Sequence, residues 1–205
     1  MTGNIKIKKI NKDVVSVIIN EPKTYNALSF NNLNELIKTL KKLDNDKITK
    51  VIIIEGSGNG FSAGHNLKEV KKLKKRNKYL KLFNLCSRLM LQIVEGKKPV
   101  IAKVHGAAYA AGCQLVASCD LAYSTNDASF ATPGVNIGLF CSTPMVAVSR
   151  KVNRKRMMKM LLTGEPIKAN YAKEIGLIND HFSKTKLNNE VLKVAKTISS
   201  KSNLT

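Results

Sequence analysis

The segment His105–Gln114 (HGAAYAAGCQ) follows a buried apolar run, Pro99–Val104, and leads into a helical pattern that reaches Ser118. Small residues between a strand and a helix form a tight turn, which leaves the first N–H groups of the helix unpaired. A second segment, Phe61–Asn66 (FSAGHN), repeats this arrangement after the strand Val51–Ile54. Two such turns facing each other would direct N–H groups at one carbonyl oxygen that becomes negative during a reaction. The sequence therefore predicts an oxyanion site.

Apolar strands alternate with amphipathic helices on both sides of these turns, a pattern typical of an α/β domain with mostly parallel strands. The predicted strands, the first two of which form a hairpin, are Thr2–Ile10, Val14–Asn20, Val51–Ile54, Pro99–Val104, Leu121–Ser124 and Ser129–Phe130. The predicted helices, the first of them capped by Ser29, are Phe30–Asp44, Asn66–Val94, Ala108–Ser118, Pro144–Lys151, Arg154–Leu162, Lys168–Ile175 and Leu187–Ser200. No linker divides the chain, so residues 1–205 are expected to form a single domain.

The chain is strongly basic, with 35 Lys and Arg against 14 Asp and Glu and a formal net charge of +21. Such an excess suits nucleic acid or another polyanion. However, the positive charges spread from Lys6 to Lys201, with few stacking residues between them and without helix-turn-helix or finger spacing. We therefore expect no nucleic-acid partner and keep that function only as a third hypothesis.

Apolar runs such as Val14–Ile19 are too short to span a bilayer, and Met1–Asp13 lacks the features of a secretory signal. The sequence thus predicts no membrane span. It predicts the cytoplasm for a bacterial source, with the mitochondrial matrix as the alternative for a eukaryotic one. The four cysteines form no Cys-x-x-Cys pair and fall in apolar elements, so we expect buried thiols, no disulfide and no metal site.

Two other motifs are weak. The segment Gly58–Ala63 fits a relaxed dinucleotide fingerprint, but no acidic residue stands between Glu69 and Glu95 to bind a ribose. A Ser-His-Asp triad lacks the Gly-x-Ser-x-Gly elbow. We expect Asp120 to cap a turn and His105 to be structural.

Several segments, in chain order, carry a resemblance to a known family: Phe61–Glu69, Lys98–Gly106, Cys113–Asp120, Phe130–Gly138 and Leu162–Ile167. Over nearly its whole length the chain resembles the crotonase, or enoyl-CoA hydratase/isomerase, superfamily. The resemblance implies an α/β spiral of ββα units, with helices covering mostly parallel strands. It also implies an acyl-CoA-binding protein of fatty-acid metabolism. Coenzyme A would enter as part of the substrate, and no separate cofactor is expected.

The resemblance implies roles for individual residues. The backbone N–H groups of His65 and Ala111 would hold the thioester oxygen. Gln114 and Gly134 stand at the two positions where hydratases of the superfamily carry Glu. Because an amide is not a general base near pH 7 and glycine has no side chain, hydration by a glutamate pair is not supported. The implied substrate-binding residues are Lys23, Asn26, Ala27, Leu28, Ala63, Leu67, Lys68, Gly112 and Cys141.

Superfamily members continue for several tens of residues beyond the position of Leu204, with helices that cap the acyl pocket and build a trimer. We therefore expect a shortened C-terminal helical region that lacks most of these helices. A homo-oligomer, a trimer or hexamer by resemblance, is expected, with a more open pocket or a different assembly. The functional hypotheses are a lyase or isomerase that stabilises a thioester enolate and, alternatively, a non-catalytic acyl-CoA binder or regulator. Restoring Glu at both Gln114 and Gly134 is expected to raise a weak hydratase activity.

Overall fold

The computed structural model describes residues 4–202 of the chain. These residues contain nine strands and eight α-helices, joined by turns and loops. The strands are β1 (Ile5–Lys9), β2 (Val14–Ile19), β3 (Val51–Gly56), β4 (Val100–Val104), β5 (Ala107–Tyr109), β6 (Leu121–Thr125), β7 (Ser129–Ala131), β8 (Ile167–Lys168) and β9 (Asp180–Phe182). The helices are α1 (Phe30–Asp44), α2 (Leu67–Lys72), α3 (Arg76–Val94), α4 (Ala111–Ser118), α5 (Ser142–Val148), α6 (Arg154–Thr163), α7 (Ala169–Glu174) and α8 (Lys184–Ser199). Short 3-10 helices span Pro22–Thr24 and Pro133–Ile137.

The strands form two sheets. The larger has the order β1-β2-β3-β4-β6-β9, and the smaller has the order β5-β7-β8. β1 is antiparallel to β2 and β8 is antiparallel to β7, whereas the other paired strands are parallel. The predicted α/β class with mostly parallel strands is therefore confirmed.

The larger sheet is covered on both faces. On β3, Ile52 and Ile54 belong to the main core, which includes apolar side chains of α1, α3 and α4. Val51 and Ile53 belong to a smaller core beneath α8, together with Leu187 of that helix. A strand buried on both sides has no polar face, which is why this strand reads as a continuous apolar run.

The predicted first hairpin is confirmed, since β1 pairs with β2 from Ile5 opposite Ile19 onward. Asn11 stabilises its turn, because its side-chain oxygen accepts the N–H of Val14 at 2.7 Å. Residues 2–3 of the predicted first strand lie outside the described residues, as do residues 203–205 of the predicted domain. Ser29 caps α1 as predicted, because its hydroxyl accepts the N–H of Asn32 at 3.2 Å.

The single helix predicted over Asn66–Val94 is wrong. α2 ends at Lys72, α3 begins at Arg76, and Lys74 between them has a φ of +51°. Six of the eight residues at positions 71–78 are basic, so a continuous helix would stack like charges three and four residues apart. The break separates these charges and allows the Leu73 side chain to be buried, with 8% of its surface exposed.

The helix predicted over Ala108–Ser118 begins three residues later than expected. Residues 107–109 are extended instead, because they pair as β5 with β7. β5, β8 and β9 are only two or three residues long, which is too short to show a period-two pattern. Within residues 4–202, no helix combines the length and the apolar composition needed to cross a bilayer.

Candidate active site

The two predicted turns lie side by side and are joined by backbone hydrogen bonds. The N–H of Tyr109 donates to the carbonyl oxygen of Ser62 at 2.9 Å, and the N–H of Ser62 donates to Ala107 at 3.1 Å. We call these two segments, residues 61–65 and residues 107–112, the turn wall. Its shape is therefore set by the backbone rather than by side chains.

Two glycines allow this close approach. A Cβ on Gly112 would overlap the carbonyl oxygen of Ser62. Gly64 has a φ of +86°, and a Cβ there would lie 3.0 Å from the backbone nitrogen of Ala111. Glycine alone meets both requirements without strain. The approach places His65, which follows Gly64, beside the start of α4.

Some backbone donors of this wall have no acceptor among the described residues. Within residues 4–202, neither the N–H of His65 nor that of Ala111 has a hydrogen-bond acceptor. Ala111 is the first residue of α4, where an α-helix leaves N–H groups free and carries partial positive charge. Ala110 before it adopts φ 49° and ψ −118°, which is strained for a residue with a side chain. Two free donors on adjoining turns suit an oxygen that gains negative charge.

A cavity of about 560 Å³ lies against these donors, a size in the range of small-molecule sites. The turn wall bounds it with Ala63, His65, Ala110 and Ala111. Residues of the segment 133–144, which we call the loop wall, bound it as well. Most other lining residues are apolar, and among the described residues no carboxylate and no amine lines the cavity.

His65 is one of the residues that line this cavity. Its Nδ1 lies 3.4 Å from the carbonyl oxygen of Leu28, and its ring packs in a T-shaped arrangement with that of Phe83, with 5.4 Å between the centroids. The other ring nitrogen, Nε2, is buried without a hydrogen-bond partner among the described residues. Burial lowers the pKa of His65, more than the contact with Leu28 raises it. The imidazole is therefore neutral at pH 7.

Cys141 and Gly134 face each other on the loop wall. The N–H of Gly134 donates to Cys141 Sγ at 3.3 Å, and burial raises the pKa of this thiol. A Cβ on Gly134 would overlap the carbonyl oxygen of Leu139 and lie 2.8 Å from Cys141 Sγ. The loop wall must therefore shift to admit any side chain at Gly134, including the glutamate of the double replacement expected to raise hydratase activity, and that expectation stays a prediction. As predicted, all four cysteines are buried free thiols.

Gln114 does not join Gly134 in the larger cavity. It is only 4% exposed, and its Oε1 lies 4.0 Å from Cys86 Sγ on α3. Gln114 lines a separate cavity of about 300 Å³, which shares only Thr143 with the larger one. The two positions that the resemblance pairs as sites of missing carboxylates thus lie on different cavities.

Asn26 supports the turn wall from behind. Its Nδ2 donates to the carbonyl oxygens of Ser57 at 2.8 Å and Gly60 at 2.7 Å, and its Oδ1 accepts the N–H of Glu21 at 2.9 Å. Its backbone oxygen accepts the hydroxyl of Ser62 at 2.9 Å. Asn26 is fully buried, and its side chain joins two loops. The part in substrate binding that the resemblance implies for Asn26 stays a prediction.

The remaining residues implied in substrate binding differ in position. Leu28 and Ala27 are buried, and the N–H of Leu28 donates to the oxygen of Gly64 at 2.7 Å. Leu67, 57% exposed, lines the larger cavity. Exposed Lys23 and Lys68 are not among the residues that line it.

The weaker motifs have structural partners. His105 Nε2 lies 2.9 Å from the oxygen of Gly58. Asp120 accepts the N–H of Val100 at 2.8 Å, which joins the end of α4 to β4. Neither residue lines the larger cavity, so no triad forms there. No group of three or more His, Cys, Asp or Glu within residues 4–202 is placed to hold a metal ion.

Sequence reasoning missed several residues that shape the cavity. Phe83 carries an apolar signal that predicts only a place on the core face of its helix, yet its ring packs against His65. Leu139 and Phe140 line the cavity while 49% and 46% exposed. They lie in an irregular segment, where no periodicity indicates which side chains face a ligand.

Comparison with known proteins gives consistent relatives. A family model described as enoyl-CoA hydratase/isomerase matches residues 9–205. The mitochondrial enoyl-CoA hydratase domain-containing protein 3 of Mus musculus is 45% identical over 185 residues, which are 90% of this chain and 62% of that protein. The chain thus spans about three fifths of the length of the curated relatives that it matches first.

Solved structures show the same fold. The crystal structure of an enoyl-CoA hydratase of Mycobacterium smegmatis has a TM-score of 0.96 and 43% identity, covering 98% of this chain and 78% of that one. Human enoyl coenzyme A hydratase domain-containing protein 3 has a TM-score of 0.94 and 42% identity, covering 98% and 79% respectively. These similarities confirm the fold that the resemblance implied.

Proposed function

The chain belongs to the enoyl-CoA hydratase/isomerase family, and we propose that it binds an acyl-CoA thioester and stabilises the enolate of the acyl group. One observation carries this proposal: the N–H groups of His65 and Ala111 have no acceptor within residues 4–202, and both residues line a single cavity. The carbonyl oxygen of a thioester becomes negative as the enolate forms, and two positioned donors stabilise that charge. In comparable sites, loss of one donor costs about 3 kcal/mol of transition-state stabilisation.

The chemistry that we propose is of the lyase or isomerase type, at the carbons next to the thioester of a fatty acyl-CoA. Coenzyme A enters as part of the substrate, and we propose no additional cofactor. Hydration by a pair of glutamates is not part of this proposal, because Gln114 and Gly134 stand at the matching positions. Homo-oligomer formation as a trimer or hexamer remains a prediction. So does a location in the cytoplasm or the mitochondrial matrix, although the mouse relative is named mitochondrial.

A non-catalytic acyl-CoA binder or regulator is the second candidate. A specific observation favours it, because no carboxylate among the described residues lines the cavity. Such a protein would use the same two N–H groups to recognise the thioester oxygen, without moving a proton. Binding alone therefore does not distinguish the two candidates.

Calorimetric titration with butyryl-CoA tests binding, with free coenzyme A as the control that lacks the acyl group. A parallel assay follows crotonyl-CoA for loss of its conjugated absorbance and for isomerised or hydrated product. Saturable binding with turnover supports the enzyme, and saturable binding without turnover supports the regulator. Absence of saturable binding contradicts both.

A further inference from the structure

Enolate chemistry requires a group that takes a proton from carbon and returns one. Among the described residues that line the larger cavity, only the imidazole of His65 and the thiol of Cys141 can do this near neutral pH. The hydroxyls of Ser142 and Thr143 and the amide of Asn136 do not titrate in this range. The choice of proton carrier therefore narrows to two side chains.

The surroundings of these two groups favour the imidazole. Burial raises the pKa of Cys141, so its reactive thiolate is scarce at neutral pH. Burial lowers the pKa of His65, so its neutral form, which can accept a proton, dominates. A proton acceptor at neutral pH is therefore present on the turn wall rather than on the loop wall.

Hydrogen bonding also orients the ring. Because a carbonyl oxygen only accepts, the contact of Nδ1 with Leu28 at 3.4 Å requires the proton on Nδ1. Nε2 then carries a free lone pair. Buried polar atoms are almost always paired, and this one has no partner within residues 4–202. An unpaired acceptor on a residue that lines a ligand-sized cavity points to a ligand as its partner. Nε2 itself exposes less than 1 Å² in this structure, so the imidazole ring must turn toward the cavity before a ligand contacts this atom.

We propose that the His65 side chain is the catalytic base of this site, and that its Nε2 removes the α-proton of an acyl-CoA thioester. The inference rests on the proposed function and deepens it, because one residue then supplies both an oxyanion donor and the base. The α-carbon–hydrogen bond breaks, and its electron pair forms the C=C bond of the enolate. The carbonyl π pair moves onto the oxygen held by the two N–H groups, and the proton goes to Nε2. Return of the proton reverses the step, so no oxidant or reductant is required.

The test is exchange of the α-hydrogens of butyryl-CoA for deuterium in D₂O, followed by NMR. His65→Phe and His65→Ala keep the backbone N–H but remove the base. We expect either change to slow exchange by at least about 100-fold while butyryl-CoA binding, measured by calorimetry, stays within a few-fold. His181→Ala is the matched control, because His181 does not line the cavity and its Nδ1 lies 2.8 Å from Asn126 Oδ1. We expect this variant to exchange the α-hydrogens at the wild-type rate.

Chemical rescue separates catalysis from packing. Free imidazole should restore exchange to His65→Ala, whereas thiophene, a five-membered ring without a basic nitrogen, should not. Restoration by both compounds would mean that the ring only fills space and would overturn the inference. So would normal exchange in His65→Phe, or loss of exchange in Cys141→Ala together with its retention in His65→Phe.

Two further outcomes keep the proposals distinguishable. Wild-type protein that binds butyryl-CoA without exchanging its α-hydrogens would overturn the catalytic base and leave the binding proposal intact. Wild-type protein that does not bind would remove both. If the variants do not fold, nitrogen-15 NMR of the wild-type histidines replaces them. We expect His65 to carry its proton on Nδ1, and a proton on Nε2 would contradict the inference.

Discussion

The turn wall and the loop wall enclose one cavity but are built differently. The turn wall positions backbone N–H groups by strand pairing and by glycines that admit no Cβ. The loop wall presents side chains from a 3-10 helix and the first turn of α5, and several of them are half exposed. Backbone donors survive most substitutions, whereas side-chain groups do not. The difference suggests that oxyanion binding is fixed by the fold, while the loop wall is free to vary.

The largest expected effect is that of Gly112→Ala. Its Cβ would overlap the oxygen of Ser62 and force the two turns apart, which should lower the free energy of unfolding by about 3 kcal/mol and abolish butyryl-CoA binding. Urea denaturation and calorimetry measure the two effects. A Cβ at Gly138, on the loop wall, would meet no atom of residues 4–202 within 4 Å, so Gly138→Ala should lose only about 1 kcal/mol through its φ of +72°. Equal losses at the two positions would refute the contrast between the walls.

Asn26→Ala tests the scaffold behind the turn wall. It leaves the oxygens of Ser57 and Gly60 and the N–H of Glu21 without their partner, so we expect a loss of about 2 kcal/mol in unfolding free energy. Asn136→Ala, an exposed change on the loop wall, should stay within about 0.5 kcal/mol of wild type. If Asn26→Ala unfolds like wild type but binds ligand poorly, Asn26 contacts the ligand after all.

Gly134→Glu probes how far the loop wall can yield. The new side chain must displace Leu139 and Cys141, and we expect a loss of about 1 kcal/mol in unfolding free energy with no gain in crotonyl-CoA hydration. The reason is geometric, because the backbone has to move before the carboxylate can be placed. Hydration that rises in this variant, alone or with Gln114→Glu, would show that the segment accommodates a carboxylate.

The smallest effect is expected at Ala110, whose φ of 49° strains a residue with a Cβ. Ala110→Gly relieves this strain, but glycine also makes the unfolded chain more flexible, which opposes the gain. We therefore expect the unfolding free energy of Ala110→Gly to lie within about 1 kcal/mol of the wild-type value. It should not be lower than the unfolding free energy of Ala108→Gly. Ala108 is a fully buried strand residue and serves as the matched control. A larger loss at Ala110 than at Ala108 would contradict the strain.

The sequence predicts strands, helix caps and turns well where neighbouring residues determine them. The apolar run at Val51–Ile54, the cap at Ser29 and the small-residue turns all depend on neighbouring residues. Apolar periodicity does not predict the break at Lys74, because it takes no account of the like charges over residues 71–78, which the sequence does show, or of the burial of Leu73. The burial of Leu73 depends on tertiary packing, which a periodic pattern does not show.

The candidate site likewise has features that the sequence predicts and features that depend on tertiary packing. The two small-residue turns follow from the sequence pattern, whereas the assignment of the donors to His65 and Ala111 rests on the resemblance to the family, and their oxyanion role stays a prediction. The sequence could not predict which cavity Gln114 lines, because this depends on how α4 packs against α3. The unpaired Nε2 of His65 likewise emerges only from the enclosure of the ring by Phe83 and its neighbours.

The central claim is that two backbone N–H groups hold the thioester oxygen. Proton–nitrogen correlation NMR tests it directly when butyryl-CoA is compared with a thioether analogue in which a methylene replaces the carbonyl. We expect the amide protons of His65 and Ala111 to move downfield with the thioester and to remain near their free positions with the thioether. Equal shifts with both ligands, or none with the thioester, would contradict the account.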